Sequence, residues 1–491
     1  MNAIFLQVDQ LGAKWLGCYG CAAAHTPNLD RLAADGILFR NCIVNNPVCM
    51  PSRAATITGR SSQHNGVPYN GWELGLDLPT YPQLLQRHGV QTFGVGKFHL
   101  ECHGRDAHND VHKYGFDRAE TTEDIRAGDW LDWVRTTCPQ HYEKALSTVW
   151  SMPHLEHYGP ENYDLRDDLQ HARRRYPRQE VVPLTYPSVI PEEACQTHWV
   201  VDRSIAFLEE RDPSRPFFLK ASFVDPHDPY DPPPRFLDLI DEASVPLPLQ
   251  TDDPALLEAL TRFRDIPFVK RFAGMTPEQW RTKRRYYLAS LAFIDEQVGR
   301  LLQWLKDSDL DDTTAIIFSA DHGDMTGDFG IPSKGAWHFD ACCRVPLLVR
   351  VPGVPASQCE AMVSNLDVFP TIMDVFGMQH DVPLEGCSLV SESDLASRTD
   401  ATLVETFGSY ACMDQACRAR SVFTPSARLT RFGDGSGMLF DLERDPDENT
   451  NRFSDPAYSA MRVQLERTML ELIDRQDTPL PNRNRHPTAL H

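Results

Sequence analysis

Five residues, Cys49-Met50-Pro51-Ser52-Arg53, set a thiol two places before a proline and four before an arginine, with the small residues Ala54-Ala55-Thr56 following. These neighbours are unusual for a structural cysteine. Taken alone they leave two readings open: a nucleophile, or a buried thiol beside a proline turn. Asp9-Gln10 and Asp321-His322 bring two carboxylates, an amide oxygen and an imidazole nitrogen, a donor set that suits a divalent cation. Either pair by itself reads as local capping and salt bridging, and the two together with Cys49 weaken that reading.

Residues so far apart in sequence need a scaffold that gathers them. The first two-thirds of the chain alternates short β-rich runs with amphipathic helical stretches, the pattern of an α/β fold with a largely parallel sheet. The sequence predicts strands over 3–8, 36–44, 91–95, 216–223, 313–319 and 345–351. It predicts helices over 26–35 (Leu29, Leu32 and Ala33 at helical spacing, Asn28 as a candidate cap), 52–58, 81–88, 285–306 and 368–376. Asp9-Gln10, Gly96-Lys97-Phe98-His99, Asp225-Pro226-His227 and Asp321-His322-Gly323-Asp324 each follow the end of a predicted strand. Ligands of open α/β sheets bind outside the carboxyl ends of the strands, so these clusters are expected to meet.

Between about 105 and 191 the pattern loosens into a stretch rich in His, Arg, Tyr and Trp, read as an insertion with some helix. Prolines mark 225–234 and 245–254 as loops. From about 399 the composition shifts to short strands over 401–406, 419–423, 427–432 and 437–441 and a helix over 459–474. The expected organisation is a catalytic domain over 1–398, carrying the insertion, and a small α+β subdomain over 399–491 with an antiparallel sheet.

The ordered set Asp9-Gln10, Cys49–Arg53, Gly96–His99, His227, Asp321–Asp324 and Lys334 resembles the formylglycine-dependent sulfatases of the alkaline phosphatase superfamily. The set spans the whole core, and Phe440-Asp441-Leu442 with Asp445-Pro446 resembles a segment of the same family's C-terminal subdomain. The resemblance implies a large mixed, mostly parallel sheet flanked by helices. It implies that Cys49 is oxidised after translation to formylglycine by a formylglycine-generating enzyme. One hydroxyl of the hydrated aldehyde would attack sulfur, and the second would later lose its proton and expel sulfate, a release step no serine or cysteine offers. Asp9, Gln10, Asp321 and His322 would hold a divalent metal with an oxygen of modified Cys49. Arg53 would orient the hydrate, Lys97 and Lys334 would bind sulfate oxygens, His99 would act as base on the second hydroxyl, and His227 would protonate the leaving alcohol. Asn70, Trp72 and Glu73 follow the nucleophile segment and are candidates for contact with the alcohol portion.

Gln10 departs from the pattern, since many sulfatases carry a second aspartate there and bind calcium. The Gln/His combination resembles the choline-sulfatase and phosphonate monoester hydrolase branches, which brings manganese in beside calcium. Lys97 and His99 draw the reading back towards sulfate esters, because phosphonate monoester hydrolases lack the G-K-x-H motif in this form. The leading expectation is hydrolysis of a sulfate monoester to an alcohol and sulfate. The alternatives are a phosphonate monoester or phosphodiester hydrolase using the same site, and a silent binding protein with an unmodified Cys49 and no metal.

The net charge of −21 argues against nucleic-acid binding yet leaves room for a local cationic pocket. The first strand starts almost at Met1 with no basic or apolar leader, and no run approaches a membrane span; a cytoplasmic protein without membrane partners is expected, and a homo-oligomer is an open expectation. Thirteen cysteines, an odd number without framework spacing, read as reduced thiols. Cys18-Tyr19-Gly20-Cys21 is read as part of the loop after the first strand, and Cys342-Cys343 as buried thiols. His103, His108 and His112 hint at a second metal but read as pocket-rim or surface residues. His154, His157, Arg166 and Arg173-Arg174-Arg175 in the insertion read as a solvated face, or as residues that shape the substrate pocket.

Overall fold

The computed structural model describes residues 1–103, 107–159, 162–396, 398–408 and 417–476. Among these residues twelve strands form two sheets: β1 (Asn2–Val8), β2 (Ile37–Ile43), β3 (Gln91–Gly96), β4 (Arg118–Thr121), β5 (Phe217–Phe223), β6 (Thr314–Ala320), β7 (Arg344–Arg350) and β8 (Ser357–Ser364) in the large one, and β9 (Thr402–Thr406), β10 (Ala419–Phe423), β11 (Ala427–Phe432) and β12 (Gly437–Asp441) in the small one. The large sheet runs β4-β3-β5-β1-β6-β7-β2-β8. Only β7 is antiparallel to its neighbours, so the other seven strands point one way. The carboxyl ends of β1, β2, β3, β5 and β6 therefore lie along one rim. Every residue of β5 and β6 is buried, as a sheet covered on both faces requires. One helix group, Pro27–Ala34, Gln196–Glu209 and Pro277–Asp307, packs together, and so does a second, Cys49–Thr58, Tyr81–Arg87 and Val368–Val375.

Pro277–Asp307 starts eight residues before its predicted start. Thr276 and Gln279 close a capping box there and Pro277 occupies the first turn. Asn28 does not cap Pro27–Ala34; Thr26 is the N-cap residue, and the Asn28 side chain bonds Asp295. Strands β4 and β8 are absent from the sequence expectation because each is an edge strand with polar, partly exposed residues. Pro254–Arg264 begins at the proline that closed the predicted loop, capped by Asp253.

Inside the predicted insertion the structure places β4 and three helices, Asp129–Thr137, Tyr142–Thr148 and Arg166–Arg175. His154 is buried rather than solvated, and Arg173 reaches the carbonyl of Val149. Arg105, where the insertion was expected to start, and the chain beyond residue 476 lie outside the described residues. The small sheet, β12-β11-β10-β9, is antiparallel throughout and is covered by the helix Ser459–Gln476. Among the described residues Cys18, Cys21, Cys42, Cys49, Cys102, Cys138, Cys195, Cys342, Cys343, Cys359 and Cys387 are free thiols, and no helix is long and apolar enough to cross a membrane.

Candidate active site

Cys49 opens a helix. Residues Cys49–Thr58 are helical and all buried, with Pro51 in the first turn, where a missing N–H leaves no bond unmade, and Gly59 at φ 64° closing the end. The amide of Met50 donates to Oδ1 of Asn70 at 2.9 Å. Asn70 thus holds the N-terminal turn that presents Cys49, and that turn carries a positive partial charge suited to an anion.

Around Cys49 stand the ends of β1 and β6. The Sγ lies 3.1 Å from Nε2 of His322 and 4.0 Å from Oδ1 of Asp9. Nε2 of His322 is 3.6 Å from Asp9 and 3.7 Å from Asp321. Asp9, Cys49, Asp321 and His322 offer four ligand atoms within 4.8 Å of one another, all buried. Nδ1 of His322 lies 2.9 Å from the carbonyl of Gly323. A carbonyl only accepts, so the proton sits on Nδ1 and the lone pair of Nε2 faces the group. Oδ2 of Asp9 is turned to the cations Lys97 and Arg53, which leaves Oδ1 facing Cys49 and His322. Two carboxylates, a thiol and an imidazole whose Nε2 lone pair faces them make a buried donor set that fits a divalent cation. Burial alone would raise the pKa of Asp9, but Lys97, His227, Arg53 and His322 hold its carboxyl far below the usual range.

Gln10 sits beside this group with φ 66°. Its Nε2 donates to Asp324 at 2.5 Å and to Asp228 at 3.3 Å, and its Oε1 accepts from Lys334. Oδ1 of Asp324 accepts from the amides of Thr326 and Ser333, and Tyr230 donates to Oδ2. The amide is thereby fixed with nitrogen towards the acids and oxygen towards the lysine.

Of the remaining predicted residues, Arg53, Lys97, His227 and Lys334 converge on the same group. Arg53 donates to Asp321, the carbonyl of Lys97 and Ser222. Lys97 ion-pairs with Asp9. Gly96, at φ 100°, has room for no side chain there, since a Cβ would fall 1.8 Å from the carbonyl of Ser222; the close approach aims the Lys97 loop inward. His227 donates from Nδ1 to its neighbour's carbonyl, on Asp228, at 2.7 Å, while its Nε2 accepts from Lys334. His99 is buried at φ 48°, its ring stacked on His103 with centroids 3.7 Å apart. Its pKa lies well below the ordinary histidine value, because burial disfavours the cation and His103 and Lys97 add to that. Trp72 stands away at 54% exposure, and Glu73 is partly exposed near Tyr114. His103, His108 and His112 go to separate partners: Glu123 and Asp124, Asp132, and the carbonyl of Phe116.

Sequence reasoning passed over Glu123, Asp124, Ser222, Asp228 and Tyr230. Glu123 and Asp124 follow β4 as closely as the recognised clusters follow their strands. The short polar edge strand before them hid that signal.

Residues 1–378 match the family model Sulfatase. The chain belongs to the sulfatase family. A second model, N-sulphoglucosamine sulphohydrolase, C-terminal, matches residues 327–475. Among sulfatase relatives, an arylsulfatase of Clostridium perfringens is 29% identical over 96% of this chain and 94% of its own length. A choline-sulfatase of Rhizobium meliloti is 28% identical over 93% and 83%. The solved phosphonate monoester hydrolase of Agrobacterium radiobacter superposes with a TM-score of 0.79 at 25% identity, covering 97% of this chain and 96% of that one. The large sheet with its flanking helices and small antiparallel sheet is the alkaline phosphatase-like fold, in the neighbourhood of choline-sulfatases and phosphonate monoester hydrolases.

Proposed function

We propose that this sulfatase-family chain hydrolyses a sulfate monoester to an alcohol and inorganic sulfate, with a formylglycine derived from Cys49 as nucleophile. The observation that carries the reading is the 3.1 Å approach of Cys49 to His322 at a helix N-terminus, inside a ring of Asp9, Asp321, Arg53 and Lys97. Asp9, Asp321 and His322 would hold a divalent metal, calcium or manganese, with Gln10 beside them. When bound, that ion would neutralise charge on the sulfuryl oxygens and polarise the nucleophile.

The chain's own residues account for the rest. Arg53 neutralises the two aspartates and fixes the helix that presents residue 49. Lys97 and Lys334 are buried ammonium groups, placed to draw the ester's anionic end inward. Lys334 donates to Nε2 of His227, so the proton for the departing oxygen would be the one shared between Nζ and Nε2. His99, kept neutral by its surroundings, is available to accept a proton. Asn70 fixes the first turn of the nucleophile helix. Trp72 and Glu73, out on the surface side, would meet only the far end of an alcohol. Residues 1–398 would form the catalytic unit and 399–491 the C-terminal subdomain, in a cytoplasmic protein matured by a formylglycine-generating enzyme.

A second reading, a phosphonate monoester or phosphodiester hydrolase, draws on the amide at Gln10 and the likeness to the Agrobacterium radiobacter enzyme. Matched nitrophenyl sulfate and nitrophenyl phenylphosphonate separate the two. A higher kcat/KM for the sulfate is expected, and a clear preference for the phosphonate would displace the leading reading. Peptide mass spectrometry over Cys49 in protein from the native host should find the aldehyde, and an intact thiol there would rule out the formylglycine route.

A further inference from the structure

Two consecutive acids after β4 grip the loop after β3. Oε1 of Glu123 accepts from the amides of Phe98 and His99 at 3.1 and 2.8 Å, and its Oε2 lies 3.3 Å from Nε2 of His103. Glu123 thus fixes the loop's backbone, and Asp124 engages the side chains. Oδ1 of Asp124 is 3.0 Å from Nε2 of His103 and 3.4 Å from Nζ of Lys97, and its Oδ2 is 3.6 Å from Nε2 of His227. Lys97 comes from the end of β3 and His227 from the end of β5. Among the described residues Asp124 is the one acid whose oxygens lie within ion-pair reach of both, engaging His227 once its ring is charged. It is 6% exposed, so these contacts are little screened by solvent.

His99, His103, Glu123 and Asp124 also lie within metal-ligand reach of one another. The two imidazoles, however, are stacked with planes 9° apart. A metal binds imidazole nitrogen in the ring plane, and no point lies in both of two parallel planes. The carboxylates close on His103 instead, and His103 backs the ring of His99.

We propose that Asp124 is a positioning residue for the reaction. It ties the ammonium of Lys97, which would hold the ester's anionic group, to the imidazole of His227, which would protonate the departing oxygen. Both then act on one substrate in register. Displacing a reacting group by an ångström costs about 100-fold, and the loss falls hardest where the leaving group most needs its proton. This inference rests on the hydrolase reading above.

The test compares Asp124→Asn and Asp124→Glu with the parent, as full-length metal-loaded enzyme, on 4-nitrophenyl and 4-methoxyphenyl sulfate. Turnover by the parent, measured first, tests the hydrolase reading separately; if phenylphosphonate monoesters are its better substrates, the same two leaving groups on that acid are compared. Asp124→Asn should lower kcat about 100-fold on the methoxyphenyl ester and under about 10-fold on the nitrophenyl ester, with KM changing much less. Asp124→Glu should restore part of the difference. The ratio of the two rates does not depend on the folded fraction, so a poorly folding variant still gives an answer. An unchanged ratio, with or without a general loss, overturns the proposal. So does a second equivalent of bound metal in the parent that Asp124→Asn removes.

Discussion

Nε of Arg53 lies 2.7 Å from Oδ2 of Asp321, with both side chains fully buried. The contact joins the nucleophile helix to the end of β6, and two further bonds from Nη1 join it to the ends of β3 and β5. Burial alone would lower the pKa of Arg53, but Asp321 and Asp9 outweigh it and keep the guanidinium charged. Removing one partner of such a pair strands a charge in the interior. Arg53→Ala should therefore cost about 3–5 kcal/mol of folding stability, read as a shift in the urea midpoint, along with activity. Arg53→Lys should also lose activity, because an ammonium cannot make the forked contacts. A stability change under about 1 kcal/mol in Arg53→Ala would contradict the bridging role.

A metal that binds the folded chain at Asp9, Asp321 and His322 must also stabilise it. Protein stripped with a chelator should regain thermal stability on titration with manganese or calcium, by about 2.7 kcal/mol at a hundred times the dissociation constant. Asp321→Asn should lose the response. Gln10→Glu would replace the N–H that now faces Asp324 at 2.5 Å with an oxygen, and should destabilise the metal-free protein by about 1.5–3 kcal/mol. If neither ion changes the melting temperature of the stripped protein, the assigned donor set is wrong.

Both of these relationships join residues that sequence reading had already marked, and the reason is topological. Asp9, Lys97, His227 and Asp321 sit at the ends of buried strands whose near-continuous apolar runs are easy to read, and parallel neighbours must deliver their carboxyl ends to one rim. The strands of the small sheet were legible because turns interrupt short apolar runs. Legibility failed at edges and in loops. Strand β4 is four residues long, carries Arg118 and Glu120 and has three of its residues only partly buried, too short and polar a run for alternation to announce it; Glu123 and Asp124 were lost with it. The role of Asn70 was equally hidden, since the bond it accepts comes from a backbone amide that has no sequence signature. The predicted helix starts at Ser52, whereas a proline in the first turn leaves the helix free to begin at Cys49.

His338, in the loop between β6 and β7, is bonded to the small sheet and gives stability a pH dependence away from the reaction centre. Its Nδ1 meets the hydroxyl of Ser421 in β10 at 2.7 Å, and its Nε2 meets that of Thr406 in β9 at 2.8 Å. Burial, with a smaller contribution from Arg428, pushes its pKa down to about 3. The folded state therefore prefers the neutral ring, whereas an unfolded histidine titrates near 6.5. Stability from this group is complete above about pH 6.5 and falls as the pH drops towards 3, by up to about 1.4 kcal/mol per unit. Between pH 6.5 and 5 the parent should lose about 2 kcal/mol more than His338→Gln, whose amide can still bond hydroxyls but cannot titrate. Urea midpoints measured at both pH values give the comparison directly. Carboxylates elsewhere titrate alike in both proteins and cancel in the difference, so parallel pH profiles would mean that His338 titrates in the folded state as it does in the unfolded chain.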